Sequence, residues 1–570
     1  MTDAATFPTG ASVLRQLARW PAATLFLLCL LGWVPGFFSL PPLDRDESRF
    51  AQASKQMVET GNLVDIRFSE GARYNKPIGI YWLQSASAKI FGSPEHKEIW
   101  TYRVPSLVGG FLALLFAYWC ARAFASRETA LLSASLLGAT LLLTAEAKIA
   151  TTDAVLLATV LAAQAVFLRV YLAARDPTRP QLGLGIVLTG WVAIAVGILI
   201  KGPVILAVLG VTCVAVSAWD RDWRWLKATR PGLGILLVAI LVAPWAIAIG
   251  IESHGAFYQQ SLGHDFGNKI LGGQESHGAL PGYFLLLSSV TLWPATILAV
   301  PGIVSGIAFR RNAATRYLLA WAGATWLLFE IVPTKLPHYI LPAYPAIAML
   351  GALWAMRPQS IEEPKGERIA RIVACVQFFL VSLALAAVPI AAAWKFGSNV
   401  TPLIVIGVGA IFAMGTAAAI MLARRRVPAA ALLGILAAVI AYPILTLGVA
   451  PNLSPIWISP RAADLIAKDG KPGDPPVVLA GYVEPSLVFL LGTNTHLENG
   501  RNAADRSASN GGLVLVEDHE RQNFLSGLAR RNAASSVADS LSGYDYSRGR
   551  FIHLTLYRVT PAPKATRSVE

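Results

Sequence analysis

Charged residues crowd into the segment "SLPPLDRDESRFAQASKQMVETG" at residues 39–61, directly after an apolar run. Asp46 and Glu47 are adjacent acids within it. A carboxylate beside a bound substrate can take a proton from an attacking hydroxyl or stabilise a developing positive charge. The same two acids would also favour the N-terminus of a helix that begins near Ser48, because negative charge stabilises the macrodipole there. The spacing alone leaves both interpretations open.

Lysines occupy positions where a membrane protein disfavours them. Lys201 in "LIKGPV" and Lys335 in "VPTKLPHYILPAYP" each interrupt apolar sequence, and Lys76 lies in "YNKP" within a long polar connection. An ionisable side chain between apolar segments is expected to meet an opposite charge or to line a polar cavity. Lysine binds phosphate as a point charge. Acids and lysines together at a membrane surface therefore indicate a lipid-phosphate substrate.

Other polar residues permit structural and functional interpretations. Asp153 in "AEAKIATTDAV" opens an apolar run after two threonines, so it is either an N-cap or part of the site. Histidines in the connections between apolar segments leave a divalent metal ion as a possible cofactor, with His264 and His338 as the candidate ligands. No two of these histidines have the spacing of a metal motif, so solvated or core histidine is the alternative. No other cofactor is indicated.

Composition shows which kind of structure must position these residues. The chain has 570 residues, 55% hydrophobic and 14% charged, whereas an average soluble protein carries about 25% charge. Thirteen apolar segments are long enough to suit a hydrocarbon core of roughly 30 Å. They span residues 22–40, 104–124, 129–145, 153–173, 184–200, 203–219, 232–250, 282–307, 315–332, 339–356, 369–394, 401–423 and 428–448. The fold class predicted is a polytopic α-helical membrane protein.

Cations divide unequally between the two sides of this topology. One set of alternate connections holds nineteen lysines and arginines, and the short connections of the opposite set hold only four. The positive-inside rule makes the first set cytoplasmic, together with the N-terminal tail. The C-terminus, the charged first loop and the unusual lysines then lie outside. Their shared side predicts one polar cavity that binds an anion.

Two long connections and a terminal domain complete the expected architecture. Residues 41–103 and 251–281 form the long outer loops, and residues 1–450 form the membrane domain. Short strand-like runs such as "PPVVLAGY" and "GGLVLVED" alternate with polar, helix-permitting stretches after residue 450. Residues 451–570 are therefore predicted to form a small α/β domain.

The quoted motifs resemble those of one known family. "DRDESRFAQASKQMVETGNLVDIRFSEGARYNKPIGIYWLQ", "KGPVILAV" and "TKLPHYILPAYPAIAML" are similar to polyprenyl-phosphate-dependent glycosyltransferases of the GT-C fold. The similarity is strongest to the lipid A aminoarabinose transferase (ArnT) group, which is related to protein O-mannosyltransferases. The first motif is the most specific, because its acidic pair, the following arginine and aromatic, and the later Tyr-x-Lys-Pro recur in that order. Thirteen spans followed by a periplasmic α/β domain also resemble this family.

The resemblance implies transfer of aminoarabinose or a related sugar from undecaprenyl phosphate to lipid A or another envelope acceptor. It implies that transfer inverts the configuration of the sugar. It also places the reaction at the periplasmic face of a bacterial inner membrane. It also implies a role for each matching residue. These roles are catalysis for Asp46 and Glu47, donor-phosphate binding for Arg49, Lys76, Lys201 and Lys335, and pocket positions for Tyr74, Asp153, His338 and Tyr339.

Two alternatives remain open from the residues. A protein hydroxyl would be the acceptor in a protein O-glycosyltransferase, for which a carboxylate base is chemically more necessary than for a phosphate acceptor. A lipid transporter would also carry intramembrane charge, but near the midplane in broken helices or repeated halves. Clustering of the charges at one interface favours an enzyme. Membrane lipids, the donor and the acceptor are the expected partners, and no nucleic acid is expected.

Overall fold

The computed structural model describes residues 10–266, 280–358, 363–397 and 399–561. Within these ranges the side chains of residue 262 and of residues 264–266 are not described.

The first half of the chain is a series of helices interrupted by one small hairpin. The helices are α1 (Gly10–Leu17), α2 (Pro21–Trp33), α3 (Asp46–Thr60), α4 (Gly79–Phe91), α5 (Ile99–Ala121), α6 (Arg127–Gly138), α7 (Leu141–Glu146), α8 (Asp153–Arg175), α9 (Leu184–Lys201), α10 (Val204–Asp220), α11 (Pro231–Glu252) and α12 (Ala256–Tyr258). Strands β1 (Arg67–Phe68) and β2 (Gly71–Ala72) pair antiparallel between α3 and α4. A 3₁₀ turn at Arg224–Thr229 and a π-helical segment at Gln259–Phe266 complete this half.

The second half of the membrane region is also helical. Its helices are α13 (Tyr283–Thr291), α14 (Thr296–Ala308), α15 (Ala313–Ile331), α16 (Tyr344–Met356), α17 (Lys365–Phe396), α18 (Pro402–Ala423) and α19 (Val427–Pro443). The 3₁₀ segment Pro337–Ala343 leads directly into α16, and the π-helical segment Ile444–Val449 continues α19.

Length and apolar composition identify eight described helices that can cross a membrane, or nine if the sharply bent pair α1 and α2 is counted as one span. Each of the thirteen predicted segments contains helix, although residues 34–40 of the first form turns, and the predicted multi-pass helical architecture is confirmed. Two predicted spans, 129–145 and 282–307, are each broken into two helices. The breaks meet, since the Leu141 N–H donates to the Trp293 carbonyl at 2.9 Å. Backbone groups freed at a break within a membrane need such partners.

The first outer loop contains two helices, α3 and α4, in place of extended chain. Acids in the first turn favour the start of α3, and Gly61, in the left-handed conformation at φ 74°, caps its end. Strand pair β1–β2 and the loop 73–78 join α3 to α4.

The C-terminal part forms a five-stranded sheet with helices, as predicted. Its strands are β3 (Val478–Ala480), β4 (His496–Glu498), β5 (Gly512–Glu517), β6 (Ala534–Asp545) and β7 (Arg550–Thr560), in the order β4-β3-β5-β7-β6. The first three are parallel and the last two form an antiparallel hairpin. The accompanying helices are α20 (Ile458–Asp469), α21 (Pro485–Leu491), α22 (Gly500–Asn510) and α23 (Asp518–Arg530). Buried, alternating apolar residues of β5 and β7 form its core.

Candidate functional site

A polar cavity of about 360 Å³ opens where the first outer loop meets the ends of α7, α8 and α9. Half of its lining residues are charged, which agrees with the predicted convergence of distant polar residues. The acidic, basic and histidine lining residues are Asp44, Arg45, Asp46, Glu47, Arg49, Arg73, Lys76, Glu146, Asp153, Lys201 and His338. Asp46, Lys76 and Lys201 are therefore brought into one cavity, although 155 positions separate the first from the last.

Asp46 stands at the first position of α3 and presents its carboxylate to this cavity. Its side chain is 58% exposed, and the nearest ion-pair contact is 3.8 Å from Arg49 Nη1 to Asp46 Oδ1. So loose a contact leaves the carboxylate accessible to a reacting group. Arg49, one helical turn later, is also partly exposed and lies on the same wall.

Glu47 has a different environment from Asp46, although both were predicted to be catalytic. Its side chain is buried, and Arg103 of α5 binds both carboxylate oxygens at 2.7 and 2.9 Å. The Leu43 and Ala150 N–H groups also donate to it, at 2.8 and 2.9 Å. Four donors saturate this carboxylate. Glu47 therefore ties the start of α3 to the neighbouring helices instead of offering an oxygen to substrate.

Lys201 ends α9 and pairs with Asp153 at the start of α8, with 2.6 Å between Nζ and Oδ1. Gly202, at φ 66°, turns the chain immediately after the lysine, a conformation that glycine adopts without strain. The Tyr339 ring lies 5.6 Å from the Lys201 ammonium. An ammonium has three N–H donors, so Asp153 orients Lys201 and leaves further donor capacity toward the cavity.

Glu146 and His338 line the same polar cavity. His338 Nδ1 lies 3.9 Å from Glu146 Oε1, and the Thr151 hydroxyl donates to Glu146 at 2.8 Å. The Glu146 carboxylate therefore has a hydroxyl donor on one oxygen and faces the His338 imidazole with the other.

A second cavity, of about 390 Å³, adjoins the first and is lined mainly by apolar side chains. It includes Trp245, Phe257, Leu206 and Val242 among its walls. Six residues line both cavities, and we call them the shared wall. They are Asn75, Lys76, Asp153, Lys201, His338 and Tyr339. A ligand with a charged head and an apolar tail fits this pair of cavities.

Two predicted site residues lie elsewhere. Lys335 is buried and donates to the Glu330 and Val332 carbonyls at 2.7 and 2.9 Å. These are carbonyls at the end of α15, where a cation satisfies groups that the helix leaves unpaired. The Tyr74 hydroxyl donates to Asp65 at 2.8 Å. Its ring packs against Phe257, a wall residue of the apolar cavity, and Tyr74 itself lines neither cavity.

Sequence reasoning missed two arginines. Arg73 lines the polar cavity, with its guanidinium 5.1 Å from the Phe50 ring centroid. Arg103, next to the predicted start of a span at residue 104, is 1% exposed and binds Glu47 as well as the Phe37, Leu40 and Pro41 carbonyls. Arginine at the edge of an apolar segment usually extends to the interface, so its sequence position gave no signal of burial.

The metal prediction has no geometric support in the described part of the chain. There, no group of three or more His, Cys, Asp and Glu side chains is arranged to hold a metal ion. The side chain of His264 lies outside the described residues.

The helical bundle, the charged first outer loop, the two joined cavities and the small C-terminal sheet together define a membrane protein of the GT-C fold. Its structure is similar to that of ArnT from Cupriavidus metallidurans bound to undecaprenyl phosphate, with a TM-score of 0.74 and 18% identity. The similarity covers 94% of this chain and 97% of that one. The predicted fold is confirmed.

Sequence comparison points to the same group. The sequence pattern of the family described as "Dolichyl-phosphate-mannose-protein mannosyltransferase" matches residues 36–256. The chain is 31% identical over 314 residues to the undecaprenyl phosphate-alpha-4-amino-4-deoxy-L-arabinose arabinosyl transferase of Erwinia tasmaniensis. The aligned region covers 54% of each protein. It is 29% identical over 388 residues to the protein of that name from Aeromonas salmonicida, covering 65% of this chain and 66% of the relative.

The chain thus matches between about half and two thirds of the length of these curated relatives. The resemblance to ArnT-like GT-C glycosyltransferases, predicted from the first-loop motif, is confirmed.

Proposed function

We propose that this protein is a membrane glycosyltransferase that moves a sugar from undecaprenyl phosphate to lipid A or another envelope acceptor. The joined cavities are the observation that carries this proposal. A polyprenyl-phosphate sugar has an apolar chain, an anionic link and a polar head. With its phosphate at Lys76 and Lys201 in the shared wall, the chain would lie among the apolar residues and the sugar would face Asp46.

The transfer step is a displacement at the anomeric carbon. An acceptor oxygen forms the new bond to this carbon as its bond to the phosphate oxygen breaks, and the polyprenyl phosphate leaves with the electron pair. A hydroxyl acceptor gives its proton to the Asp46 carboxylate. A phosphate acceptor is already anionic and needs no base. Attack from the face opposite the leaving phosphate inverts the sugar.

Fixed cations stabilise the leaving group in this scheme. The phosphate gains charge as its bond to the sugar breaks, so Lys76 and Lys201 interact more strongly in the transition state than in the ground state. Arg49 and Arg73 lie on the loop side of the same cavity and add positive potential there. Lysine orientation by Asp153 prepares this field before the donor binds.

The membrane setting of the proposal follows from the distribution of cations. We place the chain in a bacterial inner membrane, with its N-terminus in the cytoplasm and its C-terminus in the periplasm. Nineteen cations in one set of predicted connections against four in the other support this orientation. The shared wall and the first outer loop would then face the periplasm.

A protein hydroxyl is a second candidate acceptor. The match of residues 36–256 to the mannosyltransferase family favours it, since that family's description names protein as the acceptor. Asp46, exposed in the polar cavity, supplies the base that a hydroxyl needs.

The decisive experiment combines a catalytic variant with identification of the product. The purified chain in lipid nanodiscs should transfer 4-amino-4-deoxy-L-arabinose from undecaprenyl phosphate to lipid A. Asp46→Asn should lower kcat by about 10²–10⁴-fold if the acceptor is a hydroxyl, and Asp464→Asn, at an exposed site in α20, should leave it unchanged. Full activity of folded Asp46→Asn with a hydroxyl acceptor would remove Asp46 from catalysis.

Mass spectrometry of a deletion strain distinguishes the two acceptors. Loss of a sugar from lipid A supports the leading proposal, whereas loss of a sugar from periplasmic proteins supports the second. Unchanged lipid A and glycoproteins, together with no transfer in nanodiscs, would refute both.

A further inference from the structure

The backbone directly before Asp46 is strained. Arg45 has φ 62° and ψ −112°, a conformation that glycine adopts readily and that other residues rarely occupy. Strained backbone persists only where the surrounding contacts hold it in place. Because Asp46 begins α3 at the next position, the conformation of Arg45 sets the direction in which the Asp46 carboxylate enters the cavity.

Contacts from the C-terminal domain hold this turn at residues 43–45. The Asp44 N–H donates to the Tyr546 hydroxyl oxygen at 2.7 Å. The Ser486 hydroxyl donates to the Asp44 carboxylate, and the Arg45 guanidinium donates to the Ser547 carbonyl. Tyr546 and Ser547 are therefore in contact with the two residues that precede Asp46, across roughly 500 positions of sequence.

The elements that supply these contacts are themselves fixed. Asp545, which is buried, accepts hydrogen bonds from the Ser547 N–H and hydroxyl at 3.0 and 2.8 Å and from the Arg548 N–H at 3.1 Å. This network shapes the turn 545–550 between β6 and β7. Ser486 lies in the first turn of α21 and is fully buried against Ser459. The domain thus presents a rigid surface to the strained turn.

The membrane domain holds the same turn from the other side. The Leu43 N–H donates to Glu47, whose carboxylate Arg103 binds. The turn 43–45 therefore lies between a buried ion pair and the C-terminal domain, and Asp46 projects from it with its side chain largely exposed.

We propose that Tyr546 and Ser486 are positioning residues, through which the C-terminal domain holds Asp46 in its catalytic orientation. This inference rests on the proposed function for its kinetic consequence. It gives the domain a part in the transfer step that does not require contact between the domain and either substrate.

Two variants remove the positioning contacts without creating large cavities. Tyr546→Phe deletes only the hydroxyl that accepts from Asp44, and Ser486→Ala deletes the hydroxyl that donates to its carboxylate. Thr493→Ala is the matched control. It removes two hydrogen bonds between the same domain and α3, to Gln52 and Glu59, at positions beyond the strained turn.

Kinetics and amide exchange should be measured on the full-length chain in nanodiscs. With a hydroxyl acceptor, we expect Tyr546→Phe and Ser486→Ala to lower kcat at least tenfold. KM for the undecaprenyl-phosphate donor should stay within twofold, because Lys76 and Lys201 come from the membrane domain. In Tyr546→Phe the Asp44 amide loses its acceptor, so amide hydrogen exchange over residues 43–49 should accelerate at least tenfold. Thr493→Ala should change neither quantity by more than twofold.

Equal effects of Tyr546→Phe and Thr493→Ala on kcat would reduce the contacts to general domain docking and overturn the inference. Unchanged exchange over residues 43–49 in Tyr546→Phe would overturn it as well. If the unmodified chain transfers no sugar, the proposed function fails, and the exchange comparison still decides whether the domain holds the turn.

Discussion

Glu47 and Arg103 form a fully buried ion pair whose removal tests the structural role given to Glu47. Arg103→Met withdraws two of the four donors to the Glu47 carboxylate and leaves the carbonyls of Phe37, Leu40 and Pro41 without their guanidinium partner. Hydrogen bonds to a charged group contribute about 1.5–3 kcal/mol each. Breaking a buried pair by removing one partner costs about 3–5 kcal/mol. We expect a loss of stability of that size for Arg103→Met.

A double-mutant cycle separates the pair from the rest of the structure. Glu47→Gln removes the charge and keeps the shape, so it should relieve part of the cost that Arg103→Met imposes. The double variant should be more stable than the sum of the two single losses predicts, by about 0.5–3 kcal/mol. Free energies of unfolding from titration with sodium dodecyl sulfate in mixed micelles supply the four corners of the cycle.

The cycle also reports on activity. If Glu47 acts through Arg103, transfer activity normalised to folded protein should fall by a similar factor in Glu47→Gln, Arg103→Met and the double variant. Additive free energies within about 0.5 kcal/mol, or a large activity loss in Glu47→Gln with unchanged stability, would instead assign Glu47 a direct contact with substrate.

Three further predictions concern the cavities and their surroundings. Lys201→Met should raise KM for the undecaprenyl-phosphate donor roughly 10–100-fold, since a charge-assisted hydrogen bond contributes about 1.5–3 kcal/mol. Lys335→Met should raise this KM far less and should lower the midpoint of thermal unfolding. Equal KM values for the two variants would contradict both assignments. Ala207→Phe fills part of the apolar cavity and should weaken binding of an undecaprenyl donor more than that of a short-chain donor, as measured by competition; equal losses would separate this cavity from the lipid chain. Burial raises the pKa of Asp44 to about 7, so the folded protein binds this proton more tightly than the unfolded chain does. The wild-type free energy of unfolding should therefore fall relative to that of Asp44→Asn as pH rises from about 4 to about 7, and then level off. Parallel curves between about pH 4 and about pH 8 would show that Asp44 titrates normally.

Charge in apolar context singled out part of the shared wall, namely Lys201 and Asp153. The roles of Lys76, His338 and Tyr339 came from the family resemblance, and all five residues lie together. The physical reason is the free-energy cost of placing an ionisable group near hydrocarbon. This cost is lowest when such groups share one polar cavity. Side assignment by the positive-inside rule placed them on one face before any contact was known.

The direction and the partners of individual side chains could not be predicted in this way. The flexible stem of Lys335 folds back to the carbonyls that end α15, and sequence does not distinguish this from an extension into the cavity. Glu47 looks equivalent to Asp46 until its partner Arg103, 56 positions later, is known. The strained turn before Asp46 could not be predicted from the sequence either, because arginine rather than glycine occupies its position of positive φ.

The shared wall has a consequence for the order of events. Since the polar and apolar cavities meet along it, the proposed donor can extend its lipid chain into the apolar cavity while the polar cavity holds its sugar together with an acceptor. The sugar then does not need to be bound covalently to the protein between two half-reactions. Initial velocities measured against both substrates should give intersecting double-reciprocal lines, as for a ternary complex, and not the parallel lines of a ping-pong enzyme.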